Sequence, residues 1–306
     1  MNSSHISDVR VVSTSFLVSI SDVALNLVVA LLTGSTVMLS MALQGLSDLT
    51  TAGILYTGVK RSKRKADLRH QFGYGREIFF WVLIAGVSMF VGTGGLSVYL
   101  GYQQLFSPEP VESIGLALAM LLFGFITNGF ALSLSIRRLR GLGETTSWWR
   151  QLWRSSVVET KATLLVDFLG TSAALLGFMA LLMYSLSGDA RFDGLGSIAI
   201  GLSMMVASAL LIRDVRDLIV GRAVDPEKAQ RIETAALSVE GIQAVLDLRT
   251  TYLGSDRLLV IIEVHVADGL DTDRIEQIVD NVKNVVQKTI PQVHHIQVEV
   301  ETPDPM

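Results

Sequence analysis

Met38-Leu39-Ser40-Met41-Ala42-Leu43-Gln44-Gly45-Leu46-Ser47-Asp48-Leu49-Thr50-Thr51-Ala52-Gly53 is the middle of a long apolar segment that nonetheless carries an amide and a carboxylate four residues apart. On a helix, Gln44 and Asp48 share one face, with Cβ atoms ~6 Å apart. A carboxylate at membrane depth is costly and faces a cavity or a partner. Two readings follow. Either this face is half of an intramembrane cation site, or Asp48 is a structural carboxylate hydrogen-bonded inside a helix bundle.

The rest of the chain agrees with a membrane setting. Half of its 306 residues are apolar and only 18% are charged, with the charges unevenly spread. That composition predicts a membrane protein with a soluble appendix. The chain has no cysteine, which excludes disulfides and thiolate metal sites. The start is polar, and the first apolar segment is too long for the core of a cleavable signal.

Six segments are long enough to span a bilayer as helices: Val11–Leu32, Thr36–Val59, Ile78–Tyr102, Ile114–Ile136, Val157–Leu186 and Leu195–Ile212. Lys60, Arg61, Lys63, Arg64, Lys65, Arg69 and Arg76 lie between the second and third. Arg137, Arg138, Arg140, Arg150 and Arg154 lie between the fourth and fifth. The other connections are nearly free of Lys and Arg. The basic loops, and with six spans both termini, are expected in the cytoplasm of a cell (inner) membrane protein. Trp148, Trp149 and Trp153 suit a membrane interface. Gly92-Thr93-Gly94-Gly95 reads as close helix packing, because it lacks the strand and helix that flank a phosphate loop.

Composition changes after Ile212. Residues 213–226 read as a linker, with Arg213 to Asp217 continuing the sixth helix into water. Residues 227–306 read as a small α+β domain of order α-β-β-α-β: Glu227–Val239, Ala244–Tyr252, Arg257–Ala267, Thr272–Ile290 and Val293–Val300. That order fits a small sheet with both helices on one side. A domain of about eighty residues is marginal alone and gains stability by pairing.

The carboxylates align in depth. Asp22 is twelve residues from Arg10, Asp48 twelve from Lys60, and Asp167 thirteen from Arg154. At 1.5 Å per residue each lies ~18–20 Å along its helix from that flank. Asn26, Gln44, Thr163 and Glu159 supply further oxygen at helical spacing, and no His lies in a span. An all-oxygen set favours Mn²⁺, Fe²⁺ or Mg²⁺ over Zn²⁺, although carboxylates also bind zinc. Lys161 lies about 120° around the helix from Asp167, near its end, and reads as a flank that can snorkel.

These features, with Arg69-His70-Gln71-Phe72-Gly73-Tyr74-Gly75-Arg76-Glu77 before the third segment, Asp193-Gly194-Leu195-Gly196-Ser197 entering the sixth and Leu218 to Pro226 leaving it, resemble the cation diffusion facilitator family. The resemblance implies a homodimeric exporter that exchanges a divalent metal for protons, with no organic cofactor, no enzymatic activity and no nucleic-acid partner. It implies a transport site at Gln44 and Asp48 on the second helix and at Thr163 and Asp167 on the fifth; Asp22 is an additional candidate from its depth, since the family does not require an acid there. Gln44 and Thr163 stand where the family usually places His or Asp, which leaves Mn²⁺, Fe²⁺ and Zn²⁺ open as cargo. Pro108 to Ser113 resembles a loop of one zinc-handling branch. The resemblance also implies a candidate regulatory metal site at His265, Glu299 and Glu301. His294 and His295 are adjacent and point to opposite faces of a strand. The alternative expectation is a transport-deficient relative that senses metal or binds partners.

Overall fold

The structure, a computed structural model, describes residues 20–140 and 158–302. Trp148, Trp149 and Trp153 lie outside the described residues, as do most of the second basic loop and the side chains of Glu159 and Lys161. Helix α1 is described over Ile20–Thr33, α2 spans Thr36–Ser62, α3 Glu77–Phe106, α4 Ile114–Arg140, α5 Val158–Ser187 and α6 Arg191–Val220. Among the described residues four helices, α3 to α6, are long and apolar enough to cross a membrane. Helix α2 has 27 residues, but its Gln, Asp, Ser and Thr side chains lower its hydropathy. Six spans were expected, and α1 is described only from Ile20.

Contacts divide the chain into two units. The first holds the helices up to Thr57, from Trp81, and down to Asp214 within α6. Its core includes Val37, Met38, Leu121, Leu181, Ile200 and Met204, all essentially without solvent exposure. Met89–Gly95 forms a π-helical stretch inside α3, a local widening that helices tolerate in short pieces. Glycines of α3 meet α6: a Cβ on Gly201 would stand 2.7 Å from the Gly94 carbonyl, and one on Gly194 2.7 Å from that of Gly101. The two helices run antiparallel at backbone contact, which only small residues permit.

Asp193, in the first turn of α6, is fully buried. Its carboxylate accepts from the Ser35 hydroxyl (2.6 Å), the Thr36 amide (2.7 Å), the Thr36 hydroxyl (2.8 Å) and the Val37 amide (3.1 Å). The first amides of any helix lack intrahelical acceptors. A carboxylate from a distant helix therefore caps α2, with the favourable sign for a helix N-terminus. Deeper in, Ser40 and Ser197 hydroxyls meet at 2.7 Å, and Ser197 also donates to the Ser97 carbonyl at 2.8 Å. These polar contacts fix α2 against α6 and α3.

The second unit holds Gly58–Phe80 and the residues from Val215 onward, whereas the sequence boundaries put that loop with the membrane part. After α6 ends at Val220, Gly221 takes φ +117°. Asp225 and Pro226 then open α7, Pro226–Leu237. Strands β1 (Ile242–Gly254) and β2 (Arg257–Val266) form an antiparallel hairpin. Helix α8 (Thr272–Thr289) leads to β3 (Val293–Val300), which lies parallel to β2. The order β1-β2-β3 completes the expected α-β-β-α-β domain. Along β2 burial alternates: Leu258, Val260, Ile262, Val264 and Val266 are buried, as are Ile278, Val282 and Val286 of α8 and Ile232 of α7. The period of two predicts this alternation, and the opposite face stays half-exposed.

The loop signature has a structural meaning within this unit. The Gly75 backbone lies against Leu253 and Gly254 with no room for a Cβ. Arg76 donates to the Tyr252 carbonyl (3.1 Å) and the Thr251 hydroxyl (3.2 Å), and Phe72 packs edge-on to His295 at 5.4 Å between ring centroids. Asp67 accepts from the Tyr74 hydroxyl (2.6 Å) and from the amides of His70 (2.7 Å) and Arg69 (2.9 Å). Those bonds, the Tyr74 hydroxyl first, hold its carboxyl below the usual range. His70 stacks on Tyr74 at 4.3 Å and braces the loop.

Candidate functional site

The site is built on one face of α2. Gln44 is 2% exposed, and its Oε1 is buried with no hydrogen-bond donor among the described residues. An unmet buried acceptor is rare because its desolvation is not repaid. One turn on, Asp48 is half-buried and feels the charges of Asp167 on α5 and Asp22 on α1. Asp48 is therefore in electrostatic reach of both other carboxylates.

Asp167 is also half-buried, and the Ser135 hydroxyl of α4 donates to its Oδ2. Thr163, one turn earlier on α5, is exposed. Asn26 is buried and spends its amide on the Asp22 backbone carbonyl at 3.0 Å. Gly170, one turn beyond Asp167, makes a place for two amides. A Cβ there would stand 2.8 Å from Asn128 Oδ1 and 3.1 Å from Gln44 Nε2. The Asn128 amide nitrogen donates to the Gly124 carbonyl at 2.8 Å.

Ser135, Asn128 and Gly170 were not singled out from sequence. Asn128 had a signal, as a lone amide inside an apolar helix. Ser135 and Gly170 had none, because serine and glycine are ordinary in packed membrane helices. Asp193 was visible only as part of a motif, and its capping role depends on a partner 157 residues away.

Among the described residues no three His, Cys, Asp or Glu side chains converge enough to hold a metal ion. Two consequences follow. Within the membrane unit, an ion would need the Gln44 carbonyl oxygen and hydroxyls beside its carboxylates. In the C-terminal domain, His265, Glu299 and Glu301 do not form a three-ligand cluster as placed. His265 Nδ1 lies 3.1 Å from the Glu301 backbone oxygen, and the Gln297 amide donates to Glu299 at 2.7 Å.

The open face of the sheet holds a different grouping. Strand register places Glu263 between Asp247 on β1 and Glu299 on β3. Like charges directly opposite one another are destabilising. Partial burial, then the charges of Asp247 and Glu301, push the Glu263 carboxyl up, with Arg249 opposing them. The folded domain thus holds this proton more tightly than the unfolded chain. That stabilisation is complete below the unfolded glutamate value and is lost as pH rises through the folded one. The C-terminal domain is expected to melt at a lower temperature at neutral than at mildly acidic pH. Glu263→Gln should remove part of that dependence and raise the neutral-pH melting point. Thermal scans of the full chain across pH measure it, and an unchanged slope in the variant would rule out Glu263 as the titrating group.

The description "Cation efflux transmembrane domain" matches residues 12–220, and "Cation efflux protein, cytoplasmic domain" matches residues 224–303. The mouse protein named proton-coupled zinc antiporter SLC30A9, mitochondrial, is 30% identical over 234 residues, which are 76% of this chain and 41% of that protein. Metal tolerance protein C4 of Arabidopsis thaliana is 23% identical over 222 residues, covering 72% of this chain and 49% of the relative. The cation-efflux pump FieF of Klebsiella pneumoniae is 25% identical over 260 residues, 85% of this chain and 81% of the pump. The chain thus spans less than half the length of the first two relatives.

Proposed function

The chain belongs to the cation efflux, or cation diffusion facilitator, family, and from this premise we propose that it is a proton-coupled exporter of divalent transition metal. The observation that carries the reading is the buried, donor-less Gln44 Oε1, one helical turn from Asp48 on a face that also feels Asp167. An acceptor left unpaired at that depth is costly in a purely structural role. It is explained if a cation takes the place of the missing donor.

Asp48 and Asp167 supply charge, Gln44 a neutral oxygen, and Thr163 a hydroxyl. Asp22 modulates the site by its charge. Carboxylates must be deprotonated to ligate and are neutralised on return, so metal and proton compete for the same groups. Ser135 positions Asp167 through its hydrogen bond. The protein works as a homodimer, and its termini and basic loops lie in the cytoplasm. The all-oxygen donor set favours Mn²⁺ or Fe²⁺. The similarity to the mouse proton-coupled zinc antiporter keeps Zn²⁺ in the set and supports proton coupling.

The test is metal-driven proton movement in vesicles reconstituted with the full chain and loaded with a pH dye. Zn²⁺, Mn²⁺ and Fe²⁺ are offered in turn. Proton counterflow with at least one of them is expected, and silence with all three would reject the reading. Selectivity has its own test. Imidazole suits Zn²⁺ better than an amide oxygen does, while Mn²⁺ accepts oxygen readily. Gln44→His is expected to shift competitive uptake several-fold towards Zn²⁺ over Mn²⁺. An unchanged ratio with transport intact would mean that Gln44 does not touch the ion. Asp22→Asn is expected to weaken transport less than loss of Asp48 or Asp167.

A further inference from the structure

Residues 60–70 combine features that the transport reading does not use. Lys60, Arg61, Lys63, Arg64, Lys65 and Arg69 are all exposed, and Asp67 is the only acid among them. That one carboxylate is turned to internal use, accepting from the Tyr74 hydroxyl and two backbone amides. Leu68 lies between Asp67 and Arg69, whose amide is one of the two donors, and is 98% exposed. Other strongly exposed large apolar side chains, such as Leu31 and Leu186, lie on apolar helices where lipid contact accounts for them, and none of them is as exposed as Leu68. Leu68 lies on no helix.

Its exposure is built in. Asp67 Oδ1 bonds the amides of Arg69 and His70, the Asp67 amide donates to the His70 carbonyl at 3.2 Å, and the Gly73 amide to the same carbonyl at 2.9 Å. Leu68 is the outer residue of that tied turn. The following residues, Phe72, Gly75 and Arg76, are committed to the C-terminal domain. The cationic turn precedes those residues in the chain. It begins in the last helical turn of α2, and Leu68 is six residues past Ser62, within ~20 Å of the helix end by chain length.

We propose that this turn is an anionic-lipid binding site, in which the exposed Lys and Arg side chains hold phospholipid headgroups and Leu68 inserts between them. Basic clusters next to a spanning helix are attracted to negatively charged leaflets. A single aliphatic tip among cations suits the boundary between headgroup and acyl chain. A soluble acidic protein would match the charge but would not need the aliphatic tip or the tether to a membrane helix.

The full chain carries no cysteine, so Ala66→Cys gives one labelling site beside Leu68. The labelled protein is placed in nanodiscs of phosphatidylcholine alone, or with about one third phosphatidylglycerol, each doped with a lipid spin-labelled near its headgroup. Quenching is expected in the anionic discs, weak in the neutral ones, and reversed by high salt. Each cation near an anionic surface is worth about fivefold in partitioning. Lys63→Gln, Lys65→Gln and Arg69→Gln together should therefore weaken the preference for the anionic discs by about a hundredfold. Leu68→Ser should keep the salt dependence and reduce the quenching. Equal quenching in both discs, or none in either, overturns the proposal. Protection of the label by polyglutamate without lipid quenching overturns it in favour of an acidic partner. If the triple variant fails to fold, the salt and lipid arms decide with the parent alone.

Discussion

Asp48→Ala and Asp167→Ala are each expected to lower metal transport by about two orders of magnitude or more, with the protein still inserted and folded. Loss of a supporting residue around a metal already costs about 10–100-fold, and a ligating carboxylate should cost at least that. Both residues are half-buried, so truncation leaves no large void. It also removes repulsion, because Asp48 feels the negative charge of Asp167 and Asp22. Stability should therefore hold or rise while transport falls. This opposition separates a functional carboxylate from a structural one. A structural Asp48 would lose stability first and transport only in proportion. The measurement is uptake by reconstituted vesicles beside thermal denaturation of the same preparation. Near-normal uptake by either variant would sink the site. Ser135→Ala should give a milder loss, since it removes a bond to Asp167 and not the charge.

Asp193→Ala is expected to have the opposite profile, a large loss of stability arising far from any ligand role. The substitution strips the acceptor from two backbone amides and two hydroxyls, all meeting one buried carboxylate. Each buried donor left unpaired costs about 1–3 kcal/mol, and the loss should total roughly 3–5 kcal/mol after relaxation. The α2 N-terminus would fray first, since its opening amides lose their acceptor. Ser35 would still cap Met38, whose amide reaches its hydroxyl at 3.2 Å. Asp193→Asn keeps an acceptor oxygen and should lose about half as much. Thermal denaturation in detergent, with hydrogen exchange at Thr36 and Val37, gives both quantities. Wild-type melting by Asp193→Ala would show that the carboxylate is dispensable and the cap redundant.

The two predictions mark where local sequence was sufficient and where it was not. The helices follow from long apolar runs, and the C-terminal order from a switch to periods of two and 3.6, because each signal lies within one element. The face bearing Gln44 and Asp48 was legible for the same reason: four residues is one helical turn. Asp22 and Asp167 could be matched in depth because rise per residue converts numbering into distance. Helix rotation is not encoded so locally. Which side of α4 meets α5 decided that Ser135 bonds Asp167 and that Asn128 joins Gln44 over Gly170. Nothing in the single-helix pattern of α4 reveals that.

Tertiary structure also decided what two motifs are for. Gly75 and Arg76 read as a signature, and only the fold shows them against the β1 backbone and its side chains. Asp193 read as a helix entry, and only packing shows it capping a different helix. His265, Glu299 and Glu301 read as a ligand set from sequence, and strand register adds a feature that the sequence did not show, Glu263 between Asp247 and Glu299 in a row of like charges. The sequence by itself determined which stretches are helix or strand and which side of each is apolar, and it raised the expectation that three carboxylates share a membrane depth. Those properties arise from neighbours within a few residues. Which groups those carboxylates meet, and what answers many of the buried polar side chains, was decided only by the packing of different helices, from 32 residues apart for Ser135 and Asp167 to 157 for Thr36 and Asp193.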